Sequence, residues 1–396
     1  MNQERLCELA KKYSVTSTQD FSFEIAGANG PFVRDSSGKR YYDFHSMVGT
    51  ANFGHNHPQI RKAVRCFVRE YGVFHIAGND YPHKWMVELM QKLRYVTPIN
   101  FGKKVFLSNS GTEAVEAALK VVMDYHFRND PKRTIVLVFR GAFHGRTLGA
   151  LALNASKEVH RRGFFQSGPP LKIIHLSFPD INTDADPLAE LKDVPLEKVA
   201  AIVFEIVQGE GGINTADPER MAALLNFLRS VGVLIVPDEI QTGMYRTGTL
   251  FACEQYGIEP DIICLGKSLG GGLPIGATVI EEGLDFQERG RHSNTFGGNP
   301  LICVAASQAI EVALNLNKTK LERNIRVLSE FAPEGLGMMR RKRFESVEAR
   351  NAYMAKALEK GVLLIGSGEK NVRFMPPVNI ENSLLSEAID ILRTCD

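Results

Sequence analysis

Val236–Ala277 reads VPDEIQTGMYRTGTLFACEQYGIEPDIICLGKSLGGGLPIGA. Two short β-prone apolar runs, Val233–Val236 (VLIV) and Asp261–Leu265 (DIICL), each lead straight into a polar residue, Asp238 in one case and Lys267 in the other. A lysine just beyond a buried strand is partly desolvated, which lowers its pKa and favours attack on a carbonyl. The glycines after Ser268 let the backbone pass close to a flat ligand. Read plainly, Lys267 is a surface residue of a flexible loop and Asp238 caps the next helix. Read chemically, Lys267 holds a carbonyl cofactor, Asp238 pairs with a protonated ring nitrogen and Gln241 reaches a ring hydroxyl.

Working outward, Thr134–Phe139 (TIVLVF) and Val199–Val207 (VAAIVFEIV) are two more candidate strands. Helical patterns at Glu113–Val122 and Pro218–Val231 lie between the β runs. Buried strands alternating with helices predict an α/β fold, with a mostly parallel central sheet covered on both faces. Ligands in such folds lie outside the carboxyl ends of the strands. Gly30–Phe44 (GPFVRDSSGKRYYDF) predicts a hairpin turning at Ser36–Gly38. From about Leu301 the chain turns helical, then β-rich again around Val362–Val378. The division expected is a small α+β domain from both chain ends, residues 1–54 and a shortened 301–396, beside a large domain of 55–300.

Three more segments carry candidate chemistry. Ser108–Glu113 (SNSGTE) opens a helical pattern, so Ser110, Gly111 and Thr112 can hold a phosphate on free N–H groups or simply cap the helix. In Gly141–Thr147 (GAFHGRT), Phe143 can stack on a flat ring and Arg146 can clamp a carboxylate, or the two can be core aromatic and loop arginine. Glu205 and Glu210 (FEIVQGEGG) lie at a strand end, where paired carboxylates can do acid–base work, although no other feature points to a glycosidase. Arg373, set among apolar neighbours, needs a carboxylate partner from the protein or a substrate. His55, His57 and His144 lack a partner cluster for a metal and read as turn, packing or site residues.

Composition narrows the classes. Lys plus Arg number 47 against 45 acidic residues, so no field points to nucleic acid. The six cysteines form no CxxC pair, the first residues have no apolar signal core, and no apolar run is long enough to span a bilayer. The expectation is a soluble, reduced, cytoplasmic protein without metal.

Together the segments GPFVRDSSGKRYYDF, FGHNHP, FLSNSGTEAVEAALK, GAFHGRTLGALAL, FEIVQGEGG, the quoted block and SNTFGGNP resemble the class III (ω-)aminotransferases of pyridoxal phosphate (PLP) fold type I. The resemblance implies that Lys267 carries PLP as a Schiff base and moves the substrate's proton, with Asp238 on the ring nitrogen and Gln241 on the ring hydroxyl. It places Ser110, Gly111 and Thr112 on the phosphate, and Phe143 and His144 beside the ring. Thr295 would reach the phosphate of the other subunit of a homodimer. Arg146 would take a distal carboxylate and Arg373 an α-carboxylate, with Glu210 pairing with Arg373 when a substrate lacks a carboxylate there. The implied reaction is ping-pong transfer from an amino acid to a 2-oxo acid, 2-oxoglutarate in the first instance. SGTEAVEAALK and GKSLGGGLPIGA look most like 4-aminobutyrate and broad-specificity members, and donors of the ornithine or acetylornithine type stay open. A racemase on the same scaffold and a PLP-binding dimer without turnover are the alternatives. Two departures stand out: Ile206 replaces a usual proline, and Ala332–Ser346 (APEGLGMMRRKRFES) is shorter than the corresponding part of relatives.

Overall fold

The structure, a computed structural model, describes residues 3–15, 23–78, 80–100, 102–157 and 172–396. Its centre is a parallel sheet ordered Leu234–Pro237, Val199–Phe204, Ile135–Phe139, Lys172–Leu176. A parallel bridge between Asp238 and Cys264 extends it into Ile262–Leu265, followed by Gly276–Glu281 and Lys103–Ser108. Gly276–Glu281 runs antiparallel to both its neighbours.

Ile135–Phe139 and Val199–Phe204 are buried on both faces, whereas the edge strand Lys172–Leu176 is only partly buried, and alternate residues of Ile135–Phe139 feed different cores. Ile135, Leu137 and Phe139 pack in one cluster with Met221, Leu224 and Leu228 of helix Pro218–Ser230. Val136 and Val138 pack in the other with Ala114, Val115, Ala118 and Val122 of helix Gly111–Asn129. Both helices start where the sequence caps them. Asp217 accepts a hydrogen bond from Arg220 N ahead of Pro218. Ser110 accepts one from Glu113 N, while the Glu113 carboxylate takes Asn109 N at 2.6 Å.

The hairpin expected near the N-terminus is present, Phe32–Arg34 against Arg40–Asp43, with Val33 opposite Tyr41. Tyr42 and Asp43 in turn pair with Val362 and Leu363 from the C-terminal part. Helix Pro300–Leu314 begins at Asn299, whose Oδ1 takes Leu301 N, close to the predicted change at Leu301. The Ala332–Ser346 segment forms a hairpin, Glu334–Leu336 with Met339–Arg343, and Met339–Arg343 pairs with Asn371–Phe374. No single helix among the described residues is long and apolar enough to cross a membrane.

One strand differs from the sequence reading. Val199–Val207 is not continuous: it ends at Phe204, and Val207–Gln208 pairs separately with Asn214–Thr215. The break lies at Glu205, whose two carboxylate oxygens turn to accept Phe143 N at 3.0 Å and Gly209 N at 2.9 Å. Ile206 is buried at this break and accepts Ala216 N through its carbonyl.

Candidate active site

Asp238, Glu205, the Arg140–Thr147 segment and Lys267 all emerge from carboxyl ends of neighbouring strands, where such a sheet presents its ligands. They converge on a cavity of about 250 Å³ lined by Gly111, Thr112, Phe143, Arg146, Glu210 and Lys267, with Asp238 and Gln241 at its wall.

Asp238 is buried and doubly engaged. Its Oδ1 accepts Ile240 N at 3.0 Å, closing a turn rather than capping a helix, and its Oδ2 lies 2.8 Å from Nδ1 of His144. Burial alone would lower the pKa of His144. The hydrogen bond and charge of Asp238, with Glu205 nearby, win and raise it. Nε2 of His144 is buried without a partner. The loop that carries the ring is fixed by Asn154, a buried residue that sequence reasoning passed over. Its Oδ1 accepts His144 N and its Nδ2 donates to Gly145 O, both at 2.7 Å. The only signal for it is a lone amide at the end of the apolar run GALALN.

Lys267 is half-buried at the cavity and has φ +42°, a left-handed conformation that a lysine adopts only when its surroundings impose it. Desolvation depresses its ammonium pKa, against the pull of Asp238, Glu210 and Glu205. Opposite it lies a turn that no sequence pattern announced. Ser46, Met47, Val48 and Gly49 all have positive φ, a left-handed turn built mostly without glycine. Each such non-glycine residue costs of order 1–3 kcal/mol. The turn is braced by Ser46 Oγ donating to Met375 O and by the buried Arg246, which also holds Met338 O and Pro376 O. Val48 O accepts Nε2 of Gln241 at 3.4 Å, and a methyl on Gly49 would lie 3.7 Å from Cδ of Lys267. The carbonyl oxygen of Gln241 is buried and unpartnered.

Thr112 Oγ1 meets Thr147 Oγ1 at 3.0 Å, and Thr147 is held by Glu116, so the helix start and the Arg146 loop are joined. Ser110 is the helix cap, and Gly111 and Thr112 face the cavity. The guanidinium of Arg146 lies 5.8 Å from the ring centroid of Phe143. Arg373, 1% exposed, is not itself a lining residue, but its Nη1 meets Oε1 of the lining Glu210 at 2.7 Å. Burial alone would raise the Glu210 carboxyl, but Arg373 holds it below the usual range. Burial pushes the Glu205 carboxyl up to about 7. Thr295 lies outside this cavity, exposed, with its carbonyl 2.7 Å from His75 Nε2. His55 binds Asp43 at 2.8 Å, and His57 precedes the helix Pro58–Tyr71. No group of three or more metal-ligating side chains occurs among the described residues.

The chemistry open to this arrangement follows from its parts. A helix start with small residues receives a phosphate. A fixed carboxylate receives a cationic ring nitrogen, a desolvated lysine receives a carbonyl, and the spare polar atoms of Gln241 and His144 await a polar ligand. These residues fit a phosphorylated pyridine aldehyde.

Comparison with known proteins agrees. The family model for class III aminotransferases matches residues 13–395. An acetylornithine aminotransferase from Aquifex aeolicus is 35% identical, covering 92% of this chain and 94% of its own. A 2-aminoadipate transaminase from Pseudomonas putida is 34% identical over 92% of this chain and 93% of its own. Among solved structures, an ornithine aminotransferase from Toxoplasma gondii superposes with TM-score 0.88 at 26% identity, over 100% of this chain and 94% of its own, and has PLP at partial occupancy in its active site. The chain belongs to the class III aminotransferases, enzymes that work with pyridoxal phosphate.

Proposed function

We propose that this aminotransferase moves an amino group from an ω- or α-amino acid of the 4-aminobutyrate, ornithine or acetylornithine type to 2-oxoglutarate, in two half-reactions at one site. The observation that carries the proposal is the closed pair of Arg373 with Glu210, a residue that lines the same cavity as Arg146. A cation that can be covered or uncovered lets one pocket take a donor without a carboxylate at that end and an acceptor with one. Arg146 takes the distal carboxylate in both cases.

PLP, when bound, supplies a ring that absorbs negative charge from the carbon bearing the transferred nitrogen. Lys267 holds its aldehyde, Asp238 its ring nitrogen and Gln241 its hydroxyl. Ser110, Gly111 and Thr112 hold the phosphate, and Phe143 and His144 flank the ring. Lys267 Nζ takes the substrate proton and returns it, a role suited to a lysine whose pKa is lowered by burial. The proposal includes a homodimer in which Thr295 reaches the neighbouring subunit's cofactor, in keeping with its exposed position outside its own cavity. It also includes a small domain from residues 1–54 and 301–396 beside a large one of 55–300. The pairing of Tyr42–Asp43 with Val362–Leu363 supports that division, although residues 1–2 and 16–22 lie outside the described structure.

The test is a visible spectrum of the purified enzyme with 4-aminobutyrate, ornithine, N-acetylornithine and α-amino acids added singly, without acceptor. Bleaching of the cofactor band by one donor, restored by 2-oxoglutarate, is expected. A band that shifts without bleaching while one enantiomer becomes the other would replace transfer by racemisation.

A further inference from the structure

Glu210 sits in Gln208–Gly212, a run with three glycines and little side chain of its own to hold it. Its backbone is nevertheless pinned from the C-terminal sheet. Ser367 Oγ donates to Gly209 O at 2.6 Å, and Gly368 N donates to Glu210 O at 2.9 Å. Gly212 O takes two donors, Asn371 Nδ2 at 3.0 Å and Arg341 Nη1 at 2.9 Å. The same Nη1 reaches Asn214 Oδ1 at 2.5 Å.

Arg341 is a costly residue to place here. It is 2% exposed and stands directly opposite Arg373 in the antiparallel pairing, so the two cationic side chains leave the sheet on the same face. Each is paired with a carboxylate, Arg341 with a Glu334 that also takes Arg343. Glu334 Oε2 accepts Nε and Nη2 of Arg341 at 3.0 and 2.8 Å, while Glu210 serves Arg373. With Nε and Nη2 committed to Glu334, Arg341 directs its Nη1 to the loop. Arg341 belongs to the Ala332–Ser346 segment, which the sequence leads one to expect to be shorter than in related enzymes.

We propose that Arg341 is a positioning residue of the substrate gate. By holding Gly212 O and Asn214 it fixes the Gly209–Gly212 backbone, so that passing from one substrate to the other moves only the Glu210 side chain off Arg373. This rests on the reading of Glu210 and Arg373 given above. A pinned loop brings Glu210 back to Arg373 without reordering a glycine-rich segment, which preorganises the closed state that a donor needs. The acceptor needs Arg373 uncovered and is indifferent to the pin.

The two half-reactions are followed separately in single turnovers of the holoenzyme, with 4-aminobutyrate, ornithine or N-acetylornithine as donor and 2-oxoglutarate as acceptor. Arg341→Gln is expected to lower donor kcat/KM about tenfold and to change the acceptor half-reaction by less than about twofold. Arg341→Lys should restore part of the donor rate. Glu210→Ala combined with Arg341→Gln should lose no more than Glu210→Ala alone. Amide exchange in Val207–Thr215, which needs no substrate, should quicken about tenfold in Arg341→Gln. If that variant does not fold, Asn214→Ala removes one of the two acceptors of Nη1, together with the Asn214 bonds to Gln208 and Gly211, and leaves the Arg341–Glu334 pair, with a donor-selective loss again expected. Equal losses in both half-reactions, or unchanged exchange, overturn the proposal. If Glu210→Ala is itself unselective, the gate reading fails and this inference falls with it. If Glu210→Ala is selective and Arg341→Gln is not, the inference alone fails.

Discussion

His144 and Asp238 meet at 2.8 Å, Nδ1 to Oδ2, with the imidazole side chain wholly out of water. Because Ile240 N occupies the other carboxylate oxygen, Asp238 is held from two sides and keeps one orientation toward the cavity. A carboxylate fixed in this way is an electrostatic partner that needs no rearrangement when a positive ring nitrogen arrives.

Asp238→Asn keeps the shape and removes the charge. Single-turnover bleaching by a donor should slow about 10²- to 10³-fold. His144→Asn, which removes only the orienting ring, should slow it about tenfold. Equal losses from the two would show that the charge of Asp238 is not what matters.

Arg373→Ala should reduce kcat/KM for 2-oxoglutarate by about 10²-fold, the range for a buried hydrogen-bonded charge pair, and affect a simple monoamine donor far less. The comparison is made with initial rates on both substrates. If both fall together, Arg373 serves the fold and not the acceptor.

Glu205 gives a pH dependence of stability with a definite sign. Its carboxyl titrates at about 7 in the fold against 4.5 in the unfolded chain, because burial disfavours the charge. The fold therefore binds this proton more tightly, and the contribution is complete below the unfolded value and lost as pH rises through about 7, up to roughly 3 kcal/mol. Glu205→Gln has no such proton, so its stability relative to the parent should climb between pH 5 and pH 8. Urea midpoints at four pH values test this, and parallel curves would remove Glu205 from the balance.

Gly145 has φ +129°, and a methyl group on it would run into the Thr112 side chain. Gly145→Ala should displace Thr112 and the helix start, weakening cofactor retention about tenfold while leaving the melting temperature within a few degrees. Dialysis against buffer without cofactor, followed by the visible spectrum, measures it. Undiminished retention would mean that Thr112 does not help to hold the phosphate.

Ile135–Phe139, Val199–Phe204, Leu234–Pro237 and Ile262–Leu265 were legible because they are apolar runs that end abruptly in polar residues, as at Asp238 and Lys267, whereas the partly exposed Lys172–Leu176 was not singled out. The Ser110 cap was legible for a similar reason, since capping is written in a few adjacent residues. What escaped is long-range. The stretch SMVG contains a single glycine, and its left-handed turn is imposed by Met375 and Arg246, residues far along the chain. Asn154 looks like a chance polar residue until its two hydrogen bonds to the His144 loop are seen. The Glu210–Arg373 contact was implied by the family resemblance alone, because the residues by themselves do not show how Asn371–Phe374 docks over the glycine run.

The braced turn at Ser46–Gly49 also bears on how the enzyme is made. Met375, whose carbonyl holds Ser46 and whose N–H binds Phe44 O, is made 329 residues after Ser46. A nascent chain can form the central sheet and expose Lys267 well before the wall facing that lysine is locked. The cofactor pocket is thus finished only once the chain has been made past Met375, and a shorter nascent chain that has already folded its core would still lack a closed pocket around Lys267.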